Sequence, residues 1–152
     1  MVERGCSRKK LETIAQSLSR ELKKSDHVYL EGPLGVGKTY FAKSLLDALG
    51  IQQPPEGSPT FAIAHEYRTA QYSVIHLDLY RIQNEIELEE AGISAYLWER
   101  KALVISEWLS LFPKLLNPIR QTHRVWKIDL KFNSRNQEKR DIEITVLEEE
   151  RK

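Results

Sequence analysis

The first regular pattern in the chain is an apolar stripe with a period near 3.6 residues. It lies between Lys9 and Lys24 and consists of Leu11, Ile14, Ala15, Leu18 and Leu22. This period places the apolar side chains on one face of a helix. The sequence therefore predicts an amphipathic helix that packs against a sheet.

Four further stretches have the pattern of strands. Residues 72–78 and 102–107 are mostly apolar, as in strands covered on both faces, and 27–31 is a shorter candidate. In residues 60–67 larger side chains alternate with smaller or polar ones, which is typical of a half-buried strand. We predict a strand at each of these positions.

Helices are expected between the strands. Apolar residues recur at helical spacing in 41–49 and are followed by a glycine. Asn84, with Glu87 three residues later, indicates a helix start, and Gly92 indicates its stop. Residues 94–98 are predicted to form one further helical turn.

Prolines and glycines mark two loops. Residues 52–59 contain three prolines and a glycine and are predicted to be loop. Pro113 and Pro118 are expected to mark a second loop region after the strand 102–107.

The last third of the chain predicts an antiparallel hairpin at the edge of the sheet. Apolar and polar residues alternate in 126–132 and again in 142–146, and the polar segment 133–139 separates the two runs. Together these elements predict a single domain, 1–152, of the α/β class. Its mixed sheet would have a parallel core, antiparallel edge strands and helices on both faces.

Composition excludes several classes of protein. The 152 residues are 41% hydrophobic and 30% charged, and Cys6 is the only cysteine, which excludes an intrachain disulfide. No apolar run reaches the length of a membrane span, and residues 1–10 lack a signal-peptide core. The net charge of +1 gives no reason to expect direct nucleic-acid binding. We expect a cytoplasmic protein.

The chemistry is carried first by residues 32–39, which fit the pattern G-x-x-x-x-G-K-[ST]. In such a phosphate loop, glycines let successive backbone N–H groups converge on a polyphosphate at a helix N-terminus. Lys38 would reach the β- and γ-phosphates, and the Thr39 hydroxyl would bind Mg²⁺. The strand before and the helix after the loop are the context that this motif requires.

The two mostly apolar strands predicted at 72–78 and 102–107 both end on an acidic residue. Asp78 and Glu107 each follow an apolar run, and the carboxyl ends of parallel strands meet at one edge of a sheet. Either carboxylate could hold Mg²⁺ or its water, or orient an attacking water. Asp78 could instead cap a helix or a turn. His76, two residues before Asp78, is interpreted as a core histidine that at most supports the site.

Two other features have more than one interpretation. Ser58 and Thr60 could approach Mg²⁺ or the γ-phosphate, as switch segments do, or could only make local turns. Trp108 follows Glu107 directly, and packing in the core or at its rim is a commoner role of such a residue than stacking on a ligand.

Several short segments together resemble one family. These are the phosphate loop 32–39, Ser-Pro-Thr-Phe at 58–61, His-Leu-Asp-Leu-Tyr-Arg at 76–81, the acidic segment 87–92 and Glu-Trp at 107–108. In this order the chain resembles the TsaE (YjeE) family over nearly its whole length. The resemblance implies a P-loop ATPase that binds ATP and Mg²⁺, hydrolyses ATP slowly and is needed for N6-threonylcarbamoyladenosine at position 37 of tRNA. It also implies action on the TsaD and TsaB proteins, with tRNA contacted only indirectly through that complex.

The resemblance assigns roles to individual residues. Lys38 would be the phosphate lysine, Thr39 and Glu107 would hold Mg²⁺, and Asp78 and Thr60 would be needed for hydrolysis, Asp78 being also a possible metal ligand. The expected nucleotide-binding residues are Gly32, Leu34, Gly35, Val36, Gly37, Lys38, Thr39, Tyr40 and Arg140. The chain departs from the family pattern at Pro33, Gly57 and Leu11, where an acid, a basic or β-branched residue and a threonine are usual. None of these departures removes a residue that is expected to bind phosphate or Mg²⁺.

Two rival functions are compatible with a phosphate loop. A small-molecule kinase would need an acceptor pocket and usually a lid that carries several arginines. The only arginines in residues 99–122 are Arg100 and Arg120, which do not form a cluster. A nucleotide-gated binding module would use ATP to shape a surface, with hydrolysis incidental.

Overall fold

A computed structural model describes residues 1–52, 63–99 and 101–147. The strands are β1 Val2–Cys6, β2 Asp26–Glu31, β3 Ala64–Arg68, β4 Ser73–Asp78, β5 Ala102–Glu107, β6 Arg124–Phe132 and β7 Arg140–Leu147. The helices are α1 Arg8–Ser19, α2 Lys38–Ala48, α3 Glu85–Glu90, α4 Ile93–Leu97 and α5 Pro113–Thr122, and a 3₁₀ turn covers Leu109–Leu111.

The strands form one mixed sheet in the order β1-β7-β6-β2-β5-β4-β3. Its centre is parallel, because β2 pairs in parallel with both β5 and β6, and β4 pairs in parallel with β5. Strand β3 is antiparallel at one edge, and β7 and β1 are antiparallel at the other. Every residue of β5 is buried, which explains its continuous apolar pattern.

Helices cover both faces of this sheet. Apolar residues of α1 and α2 form one core cluster with β2, β6 and β7, and Phe41 and Leu45 are fully buried in it. The opposite cluster contains Leu88 of α3, Leu97 of α4 and Ile119 of α5. The predicted fold class, a mixed sheet with a parallel core and helices on both faces, is therefore confirmed.

The position predicted for the C-terminal hairpin was wrong in one respect. Strands β6 and β7 do form an antiparallel hairpin, but β6 lies inside the sheet against β2, and β1 occupies the edge beyond β7. The sequence of β1 does not show the apolar alternation of a strand, because a strand at the edge of a sheet can be largely exposed. Backbone pairing with β7 and a bond from Gly5 N to Asp141 Oδ1 (2.8 Å) hold it instead.

The loop expected at Pro113 and Pro118 is a helix, α5. Pro113 occupies the first turn, where a missing N–H costs nothing and a fixed φ suits a helix. Pro118 removes one interior hydrogen bond. Burial of Ile119, which is 0% exposed, anchors the helix to the sheet despite that loss.

The predicted strand 60–67 is described only in its second part, as β3. Thr60, Ser58 and Gly57 lie outside the described residues. Within the described part of the chain, no helix is both long and apolar enough to cross a membrane.

Candidate functional site

The phosphate loop connects the end of β2 to the start of α2. Gly32 has a φ of 143°, and a Cβ there would lie 2.5 Å from the carbonyl oxygen of Leu130. Gly37 is the N-cap of α2, with a left-handed φ of 109°. These two positions therefore require glycine, because the backbone is strained for other residues and approaches β6 closely at Gly32.

Lys38, the first residue of α2, is folded back onto this loop. Its Nζ donates hydrogen bonds to the carbonyl oxygens of Gly32 (2.6 Å) and Pro33 (3.0 Å). Its ammonium also lies 3.9 Å from the centroid of the Trp108 ring. Burial lowers the pKa of Lys38, and the negative charges of Glu107, Glu31 and Asp78 oppose that shift. The lysine is thus a buried cation surrounded by acids.

Glu107 lies beside the first turn of α2. Its Oε2 accepts a hydrogen bond from Thr39 Oγ1 at 3.0 Å, and its Oε1 lies 3.0 Å from His76 Nε2. Glu107 and His76 are both 2% exposed. The structure therefore brings a loop hydroxyl and a strand-end carboxylate together, as the sequence pattern predicts.

Asp78 is the strand neighbour of Glu107, because the two residues are paired across β4 and β5. It is only half buried, and its Oδ1 accepts a hydrogen bond from Tyr80 N at 3.1 Å. Asp78 therefore makes a local turn contact and also lies at the same sheet edge as Glu107. The turn contact agrees with the capping interpretation, and a role of Asp78 in holding Mg²⁺ or orienting water stays a prediction.

The oxygen atoms at this edge fit a magnesium ion better than a softer metal. Thr39 and Glu107 supply a hydroxyl and a carboxylate, the hard ligands that Mg²⁺ prefers. Among the described residues, no group of three or more His, Cys, Asp or Glu side chains could hold a metal alone. Few protein ligands are what Mg²⁺ needs when nucleotide phosphates complete its shell.

Arg140 lies on the other side of the phosphate loop. Its Nε donates to the carbonyl oxygen of Val36 at 2.6 Å, and its guanidinium lies 4.5 Å from the Phe132 ring centroid. It borders a cavity of about 570 Å³ that is also lined by Leu11, Tyr40 and loop residues 35–37. This cavity opens beside the phosphate loop.

The remaining predicted residues differ in what they can contact. The Tyr40 hydroxyl donates to Glu12 Oε1 at 2.5 Å, which ties α2 to α1 at the cavity. Leu34 lies in the phosphate loop and is 65% exposed, and its role in nucleotide binding stays a prediction. Thr60, predicted to act in hydrolysis, lies outside the described residues.

Glu31 lies at the site but is not among the residues predicted from the sequence. It ends β2 and accepts hydrogen bonds from Gly32 N and Ser110 Oγ, both at 3.2 Å, and another from the Tyr29 hydroxyl. It thereby connects the start of the phosphate loop to the 3₁₀ turn. The sequence contains a signal that could have identified Glu31, because this residue is also an acid at the end of a predicted strand.

Trp108 also has a more specific place than core packing suggests. It is the one non-glycine residue of the described chain with a positive φ, 64°. Its ring packs at 4.8 Å from that of Tyr80 as well as against the Lys38 ammonium. The turn after β5 therefore holds an aromatic side chain over the phosphate loop.

The fold and the loop define a protein of the P-loop class: a parallel sheet core whose central strand leads through G-x-x-x-x-G-K-[ST] into a helix. Comparisons with known proteins place it more closely. The family model described as "Threonylcarbamoyl adenosine biosynthesis protein TsaE" matches residues 6–142. The chain belongs to the TsaE family, and the resemblance noted in the sequence is confirmed.

Individual relatives agree with the family model. The chain is 33% identical over 105 residues to the tRNA threonylcarbamoyladenosine biosynthesis protein TsaE of Rickettsia felis, covering 69% of this chain and 60% of that protein. The protein of the same name from Aquifex aeolicus is 40% identical over 91 residues, covering 58% of this chain and 68% of that protein. The crystal structure of Bacillus subtilis YdiB is similar with a TM-score of 0.71 at 25% identity, covering 96% of this chain and 84% of that one.

Proposed function

We propose that this chain is a Mg²⁺-dependent ATPase that serves tRNA threonylcarbamoyladenosine biosynthesis together with TsaB and TsaD. Family membership and the names of its relatives support the pathway. The observation that carries the ATPase proposal is the position of Lys38 and Thr39. Both lie on the first turn of α2, beside the buried carboxylate of Glu107.

Binding of ATP would use the loop as a cradle for the phosphates. Backbone N–H groups of the loop and of the first turn of α2 donate to phosphate oxygens in proteins with this motif. Lys38 would exchange the carbonyl oxygens of Gly32 and Pro33 for phosphate oxygens. That exchange is favourable because a buried ammonium gains an anionic partner in place of neutral ones.

Hydrolysis would depend on the acids at the sheet edge. Bound Mg²⁺ would supply positive charge that stabilises the phosphates as negative charge develops on them. Thr39 and Glu107 would hold the ion. Asp78, which is more exposed than Glu107, would orient an attacking water, and Thr60 is proposed to assist it.

Lys38→Ala and Thr39→Ala test the ATPase proposal. Each variant is expected to lose Mg²⁺-dependent phosphate release while keeping its circular dichroism spectrum, because each removes a group that acts on phosphate or metal. Thr13→Ala is the matched control: Thr13 lies on the exposed side of α1, and within the described part of the chain its hydroxyl bonds only the Lys9 carbonyl. Full activity in either loop variant would refute the assignment.

The nucleotide-gated binding module differs from this proposal only in whether turnover is needed. Asp78→Ala separates the two, because it removes a carboxylate from the sheet edge and leaves the phosphate loop intact. We expect this variant to bind ATP and the partner proteins but not to support tRNA modification. If modification continued at the normal rate without hydrolysis, the binding module would be the better description.

A further inference from the structure

The hydrogen bond between His76 and Glu107 points to a role for His76 that its strand position alone does not assign. His76 Nε2 lies 3.0 Å from Glu107 Oε1, and each residue is only 2% exposed. A carboxylate can only accept a hydrogen bond, so the Nε2 atom of His76 carries the proton and donates it. Both partners are fixed on adjacent strands, His76 on β4 and Glu107 on β5.

The two oxygens of Glu107 are thereby given different tasks. Oε1 is held by His76, and Oε2 lies 3.0 Å from the Thr39 hydroxyl at the phosphate loop. A carboxylate that is anchored through one oxygen presents the other in a single orientation. Outer partners of this kind orient metal ligands in many proteins.

We propose that His76 is a positioning residue that holds Glu107 in the orientation needed to bind Mg²⁺ with Thr39. This proposal rests on the ATP- and Mg²⁺-binding function proposed above. Without His76, the Glu107 carboxylate would lose its buried donor and turn toward other partners, such as the nearby Lys38 ammonium. Metal binding would weaken, while the backbone cradle for phosphates would stay intact.

The test replaces His76 in two ways. His76→Leu keeps much of the volume and removes the donor, whereas His76→Gln keeps an N–H donor at a similar distance from the backbone. His65→Gln is the matched control, because His65 lies directly across from His76 on β3 but bonds the Tyr67 hydroxyl. Thermal unfolding of each variant establishes that it is folded.

Binding of a non-hydrolysable ATP analogue is then measured by calorimetry at increasing Mg²⁺ and again in EDTA. For His76→Leu we expect the Mg²⁺ concentration that half-saturates analogue binding to rise roughly 10- to 100-fold. Binding in EDTA should be unchanged, and His76→Gln should restore most of the Mg²⁺ response. A merely structural role would not separate binding with the metal from binding without it.

The outcomes distinguish the two proposals. A wild-type protein that does not bind the analogue with Mg²⁺ would overturn the proposed function and this inference with it. A wild-type protein that responds to Mg²⁺, with an equal response in His76→Leu, would overturn the positioning role alone. An equal loss of binding with and without Mg²⁺ in His76→Leu would likewise overturn it, because that pattern indicates damage to the phosphate loop.

Discussion

Acidification should destabilise this fold through one buried histidine, His27. Its side chain is 0% exposed at the centre of the sheet, where Nε2 lies 2.7 Å from Ser106 Oγ. Its Nδ1 has no hydrogen-bond partner among the described residues, and the ring of His123 lies 6.1 Å away, edge-on. Burial, and then the nearby His123, lower the pKa of His27 from its ordinary value of 6.5 to about 3.

Because the pKa of His27 is lower in the folded protein than in the unfolded chain, acid destabilises the fold. The folded protein keeps His27 neutral, whereas the unfolded chain takes up a proton below pH 6.5. His27 therefore leaves the free energy of unfolding unchanged above this pH, and lowers it progressively as the pH falls toward 3. At about 1.4 kcal/mol per pH unit, the loss amounts to about 2 kcal/mol near pH 5, a large part of a typical 5–15 kcal/mol stability.

Urea unfolding followed by tryptophan fluorescence measures this loss. The free energy of unfolding is compared at pH 7.5 and pH 5.0 for the wild type and for His27→Gln, which keeps a donor for Ser106 but does not titrate. The wild type should lose about 2 kcal/mol more than the variant over this interval. Equal pH dependence in the wild type and His27→Gln would refute the reasoning.

Two further substitutions test other parts of the structure. Gly32→Ala should abolish binding of the ATP analogue in calorimetry, because its Cβ would clash with Leu130 at a left-handed φ; normal binding would contradict the loop geometry. Asp26→Ala should lower the unfolding free energy by about 1–3 kcal/mol, since Asp26 is 2% exposed and accepts bonds from Arg124 and from Trp126 Nε1. Unchanged urea stability would contradict that role.

The parts of the fold that could be predicted are those in which local pattern and tertiary environment agree. Residues 102–107 are apolar because β5 is buried on both faces, so pattern and bounds coincide. The phosphate loop is equally local, because its glycines are required by its own backbone angles. Asp78 and Glu107 could be placed together because parallel strands bring their carboxyl ends to one edge.

The parts that could not be predicted depend on partners distant in sequence. Strand β1 exists because β7 offers it a backbone edge, and its own sequence carries little apolar pattern. Helix α5 forms despite Pro118 because Ile119 is buried against the sheet. The cation–π contact of Trp108 with Lys38 depends on one positive φ after β5, which residue type alone does not indicate.

The most direct test of the proposed function is phosphate release from ATP by the purified chain with Mg²⁺, alone and then with TsaB and TsaD. Lys38→Ala serves as the inactive reference in both conditions. We expect slow release by the wild type alone, a strong rise when both partners are present, and no release by the variant in either case. Tight ATP binding with release that is indifferent to the partners would contradict a partner-dependent ATPase and would favour the small-molecule kinase.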